Sequence, residues 1–277
     1  MAQSPALERG APPLAERPPG SQLGGASRAG RIPLLALAFA IGLALFIAID
    51  PVRPWILMAV TALVGLGADG IMRSHPRGEF HTVADTSPYL FVPVLFTLSA
   101  GLFLEDVVLS YWAAPAVLGA GVLMGLTLYA EHISVEPEHP QFPIARFILN
   151  VITYLTAFGF YAVVYGLDVD LLPAAFAVGL ISMLLSIEVF REAEADPMRA
   201  LVFAAVIGVI AGEARWVLYF IPLEGFLAGV FILLVFYLVT GVISHYLTEH
   251  LDGTVLAEFA LVTAAGLAIV VGGRLLG

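Results

Sequence analysis

The sequence has no cysteine, and only 12% of its 277 residues are charged. Without cysteine there is no disulfide, no thiolate nucleophile and no thiolate-bound metal. Lysine is also missing, so every basic residue is an arginine. That bias is typical of GC-rich genomes and points to a bacterial source. The scarcity of charge is the more telling feature, because a soluble domain is about one quarter charged. Several signatures are absent as well. There is no P-loop or dinucleotide fingerprint and no G-x-S-x-G elbow. No arginine ladder, channel filter or paired Asp-rich motif is present. No cofactor, bound metal or nucleic-acid partner is expected.

What the chain has in abundance is apolar length. Hydrophobic residues make up 60% of it, and the mean hydropathy is +0.96. The solvent for such a chain is lipid. A span needs about 20 helical residues to cross about 30 Å of hydrocarbon. Suitable runs lie near 32–49, 54–72, 88–104, 107–131, 144–167, 171–190, 198–221, 223–247 and 254–273. The runs are continuously apolar, whereas a barrel would show short alternating segments. The fold class expected is an all-α, polytopic integral membrane protein of about nine transmembrane helices. Residues 1–31 are rich in Pro, Gly, Ala and Arg and contain no apolar core of a signal peptide. They are expected to form a disordered cytoplasmic tail, leaving 32–277 as the transmembrane domain.

Arginine sets the expected orientation. With the N-terminus inside, Arg9, Arg17, Arg28, Arg31, Arg73, Arg77, Arg146, Arg191 and Arg199 lie on the cytoplasmic side. Only Arg53, Arg215 and Arg274 lie outside. This obeys the positive-inside rule and places the chain in a bacterial inner membrane with its C-terminus outside. The outer turns are short and acidic (Asp50, Glu105 and Asp106, Asp168 and Asp170, Glu224). The first eight runs also read as four helical hairpins of one direction. In the first three, the returning helix starts near a proline (Pro54, Pro115, Pro173) and ends with an acid (Asp69, Glu131, Glu188). Such hairpins are a candidate for parallel repeats.

Two groups of residues are candidates for chemistry. The first gathers at the inner helix ends: Asp69, Glu131, His132, Glu188, His245, Glu249 and His250. A helix C-terminus carries partial negative charge and prefers cations, so acids there need compensation. Arg73, Arg146, Arg191 and Arg199 are on the side to supply it. A metal reading would join His132, His245 and His250 to the acids, but H-Y-L-T-E-H matches no zinc-protease motif.

The second group centres on Glu213, about 21 Å beyond Arg199 along a helix that rises about 1.5 Å per residue. An ionisable residue at that depth is expected to face the bundle. Its expected partner is a polar stripe on the fifth run: Asn150, Thr153, Tyr154 and Tyr161. Arg215, about 200° further round the helix, is expected to snorkel outward toward Glu224, Asp168 or Asp170. Gly121 and Gly125 form a G-x-x-x-G that permits close helix packing.

Three function classes follow. Sparse intramembrane polarity favours an accessory or scaffold subunit of a membrane complex, with a membrane-protein partner or a homo-oligomer. Glu213 and the stripe favour a small-solute or proton-coupled transporter. The inner Glu/His cluster is the basis for an intramembrane enzyme acting on lipid.

Overall fold

Proline marks where several helices begin, because its missing N–H is already unpaired in a first turn. The computed structural model describes residues 31–49, 53–78, 80–107, 112–167, 169–193, 196–221, 223, 225–248 and 252–276. Nine long helices run through them: α1 (Arg31–Ala48), α2 (Pro54–Arg73), α3 (Phe91–Val107), α4 (Ala113–Ser134), α5 (Phe142–Gly166), α6 (Leu171–Ala193), α7 (Pro197–Leu218), α8 (Gly225–Leu247) and α9 (Gly253–Leu276). Pro54, Pro143 and Pro197 sit in the first turns of α2, α5 and α7. Asp196 caps α7 by accepting the Met198 N–H at 2.9 Å, which satisfies one orphan donor. Arg31 opens α1; the rest of the expected disordered tail lies outside the described residues, as do Asp50, Asp168, Pro222, Glu224, Glu249 and His250.

The protein is an all-α polytopic membrane protein: 8 of these helices are long and apolar enough to cross a bilayer. The remaining apolar run, the third, is a bent pair of helical segments. A helical turn, Val83–Thr86, and a 3-10 turn, Ser87–Tyr89, meet α3 at an angle of 52°. The third apolar run was expected to be a continuous helix from about 88. Instead α3 starts at Phe91 and carries Glu105 and Asp106 in its last turn. Thr82 and Asp85 form a capping box on the preceding turn. That box fixes a separate short element that the hydropathy of the run conceals.

The helices pack as two rings of four. In the first, α1–α2–α3–α4 are neighbours in order and α1 closes on α4. In the second, α5–α6–α7–α8 repeat the arrangement and α5 closes on α8. Phe39, Leu43, Val64 and Met124 fill the first core. Tyr161, Leu185, Ile207 and Phe236 fill the second. α3 and α4 join the rings by packing on α5. Among the main helix interfaces, α9 has only that with α8.

Small residues set the closest approaches. Gly121 and Gly125 of the G-x-x-x-G face Ala40 and Ala36 of α1, so this motif closes the first ring within one chain. The tightest crossing is α6 on α7. A Cβ on Gly179 would lie 2.7 Å from the Gly208 carbonyl, and one on Gly208 equally close to the Gly179 carbonyl.

Candidate functional site

A set of largely buried charges occupies the end of the molecule where α4 and α6 finish and α5 begins. Glu131 on α4 and Glu188 on α6 are both 0% exposed. Arg146, in the second turn of α5, donates Nη1–H to Glu188 Oε1 at 2.6 Å and Nη2–H to the Glu188 carbonyl at 3.1 Å. Arg191 stands one turn beyond Glu188 on the same helix face. Its Nη1 lies 2.8 Å from Glu188 Oε2 and 3.0 Å from Glu131 Oε2. Its Nη2 donates to Ser134 Oγ at 2.6 Å. Two acidic side chains are thus matched by two guanidiniums. Taking each ion from water costs several kcal/mol, and a buried pair recovers this only with close, well-directed hydrogen bonds. Arg146 supplies them to Glu188 Oε1 and Arg191 to Glu131 Oε2 and Ser134 Oγ, while Glu188 Oε2 meets Arg191 as an ion pair without a hydrogen bond. The arginines also give the C-terminal ends of α4 and α6 the positive charge their dipoles favour.

The bent segment before α3 completes the site. Thr86 Oγ1 donates to Asp69 Oδ1 at 2.5 Å, and Arg73 Nε–H donates to Asp69 Oδ2 at 2.7 Å. This ties the bent segment to α2. Tyr89, at its end, lies under the Arg191 guanidinium, 4.2 Å from Cζ to ring centroid, a cation–π contact.

Beside this set the imidazoles go their own way. The His132 ring meets the His75 ring at 4.4 Å between centroids. His75 Nδ1 accepts the Arg77 N–H at 3.2 Å, so its neutral ring carries the proton on Nε2, which lies 3.6 Å from Glu136. Glu136 in turn accepts from Arg77 Nη1 at 2.6 Å.

Burial lowers the His75 pKa from its usual 6.5; Glu136 opposes the shift and Arg77 adds to it. The folded chain then binds fewer protons than the unfolded chain between the lowered pKa and about 6.5. Stability should therefore rise with pH through that window. Unfolding midpoints in detergent between about pH 5 and 7.5 check this. His75→Gln should flatten His75's contribution to the slope; an unchanged profile would assign it to other groups.

The expected inner cluster is thus divided. Glu131 and Glu188 come together through Arg191. His245 bonds its own helix through Nδ1 to the Gly241 carbonyl (2.9 Å) and packs edge-on against Phe259 of α9. Its helix packs on α5, α6, α7 and α9, whereas His132 belongs to a helix packed mainly on α1, α3 and α5. Their helices serve different rings, which removes the geometric basis of the shared metal reading. Glu249 and His250 lie outside the described residues. Ser134, Tyr89, His75 and Glu136 were not candidates in the sequence. The spacing of Glu131 with Ser134 and of Glu188 with Arg191 is the signal that points to two of the partners missed or only loosely placed.

The second candidate group is turned round. Glu213 is exposed on the outer wall of α7, and Arg215 is only 6% exposed. The buried face of α7 is the stripe Ala200, Ala204, Ile207, Gly208, Ala211, Arg215 and Leu218, and Glu213 is off it. Arg215 stacks over Tyr165 of α5, 4.7 Å from Cζ to ring centroid. Two of its expected partners, Glu224 and Asp168, lie outside the described residues, and Asp170 is exposed. The α5 stripe finds other partners than Glu213. Tyr154 OH is 3.2 Å from Thr240 on α8, and Tyr161 OH is 2.7 Å from Ser182 on α6. Asn150 is half-buried and Thr153 fully buried.

A family described as a protein of unknown function (DUF5656) matches residues 52–272, well over half of the chain. No curated protein and no solved structure matches.

Proposed function

The chain belongs to this DUF5656 family, and from that premise we propose that it is an accessory or scaffold subunit of a membrane complex. The observation that carries the reading is the mutual pairing of Glu131, Glu188, Arg146 and Arg191. Acidic groups and guanidiniums paired across helices inside the bundle hold those helices in register, since breaking a buried pair is strongly destabilising. The transport alternative placed Glu213 on an internal route, and its position on the outer wall argues against that route. The lipid-enzyme alternative needed the acids and imidazoles in one place; Glu131 and Glu188 meet, but His132 and His245 stand on helices of different rings.

α9 is the element suited to contact a partner. It packs on α8, and only 17% of its apolar window is buried. Leu261 and Ile269 stand exposed on it. The arginine distribution supports a bacterial inner membrane, with the N-terminus in the cytoplasm and the C-terminus outside.

Native mass spectrometry of gently extracted protein tests this. The wild-type chain should carry a membrane-protein partner at fixed stoichiometry. A double Leu261→Trp and Ile269→Trp variant should fold and lose it. A wild-type chain that always flies alone would overturn the proposal.

A further inference from the structure

The outer wall where α6 meets α7 has a groove that the buried charges do not explain. It has a volume of about 440 Å³ and is lined by Ala175, Val209, Gly212, Glu213, Trp216 and Val217. The floor is low because Ala175 and Gly212 have almost no side chain: a Cβ on Gly212 would lie 3.1 Å from the Ala175 carbonyl. Glu213 and Trp216 are three residues apart on α7 and so stand on one face. Trp216 is 44% exposed.

Glu213 lies about 7.5 Å before the end of α7, taking a rise of about 1.5 Å per residue. Exposed aromatic residues, Trp216, Tyr219 and Phe220, follow it. Tryptophan and tyrosine gather where the bilayer meets its headgroups, so Glu213 sits about one turn below that level. A carboxylate facing lipid at that depth calls for a cation or a hydrogen-bond donor. Among the described residues nothing supplies one: Glu213 has no ion pair or hydrogen bond, and Arg215 is turned toward Tyr165.

We propose that this groove binds an ethanolamine phospholipid, with its ammonium between the Glu213 carboxylate and the Trp216 ring and an acyl chain along Ala175, Gly212 and Val209. The ammonium meets the carboxylate's charge, and the indole face adds a cation–π contact. The small residues leave room for the chain. A basic helix of a partner protein fits less well. On the outer side, where the orientation proposed above places this groove, membrane proteins carry few Lys and Arg. The site is separate from α9 and does not depend on the scaffold reading.

The test is lipid retention by the full-length protein in nanodiscs that contain ethanolamine and glycerol phospholipids in equal amounts. Native mass spectrometry after partial delipidation counts what stays bound. The wild type should retain the ethanolamine lipid about tenfold over its bulk share, and Glu213→Gln should remove the preference. Trp216→Leu should weaken it. Glu258→Gln, at an exposed acid on α9, should leave it unchanged. Glu213 is on the surface, so its variant should fold, and circular dichroism checks that it does. Retained lipid that mirrors the bulk would overturn the proposal. So would a preference that survives Glu213→Gln. Loss of a protein from native membranes on Glu213→Gln, with lipid retention unchanged, would reassign the groove to a protein partner.

Discussion

Glu188→Ala should destabilise the protein by about 3–5 kcal/mol, the range seen when one member of a buried ion pair is removed. Glu188 is the hub of the set: it accepts from Arg146 at 2.6 Å and faces Arg191 at 2.8 Å. Without it, Arg146 loses its carboxylate contact with α6, and Arg191 keeps Glu131, Ser134 and the Tyr89 ring. Against a total stability of about 5–15 kcal/mol for an ordinary domain, such a loss should show as poor accumulation in the membrane. Glu131→Gln should cost less. Glu131 Oε1 makes no hydrogen bond among the described residues, and Arg191 retains Glu188. A single-residue ranking by unfolding midpoint in detergent, Glu188→Ala below Glu131→Gln below wild type, is the expected order. Equal midpoints for the two variants would show that Glu188 is not the hub.

Gly208→Leu is the second large effect. The first carbon of the new side chain would meet the Gly179 carbonyl at 2.7 Å and Met183 Cβ at 3.0 Å. A flexible side chain can move aside, but a helix carbonyl on the facing backbone cannot without parting α6 from α7. Overpacking a core costs about 1–3 kcal/mol when side chains can adjust, and this site should exceed that. Gly119→Ala is the contrast, since a Cβ there meets nothing within 4 Å; it should stay within about 1 kcal/mol of wild type. The same unfolding measurement separates them. A Gly208→Leu chain as stable as the Gly119→Ala chain would mean that the crossing is looser than the structure has it.

The helices were legible because a span is defined by length and hydropathy, and both are local properties. The acids at the ends of α4 and α6 and the arginines near them were legible as candidates too. Their pairing was not: Arg146 and Glu188 are 42 residues apart in the chain, and Arg191 and Glu131 are 60. Only the ring order of helices brings them together. The bent segment before α3 was hidden because Pro, Tyr and Leu read as apolar through the bend. Glu213 was assigned to the wrong face for a clearer reason. Depth along a helix is read from residue number, but facing depends on which stripe the neighbouring helix selects. Ala204, Gly208 and Ala211 form the small-residue stripe that lets α6 approach, and Arg215 continues it. Small residues mark helix contacts in lipid, so the stripe was present in the sequence as the signal of which face is buried.

If the four buried charges serve only one another, a chain without any of them should still do its work. The most direct test replaces the whole set: Glu131→Gln, Glu188→Gln, Arg146→Met and Arg191→Met together. Apolar or neutral replacement of a complete buried ion network is often near neutral for stability. The quadruple variant should fold better than Glu188→Ala alone and retain the same membrane partner as wild type in native mass spectrometry. A quadruple variant that folds and yet loses the partner would contradict this, because the charges would then be part of the working chemistry.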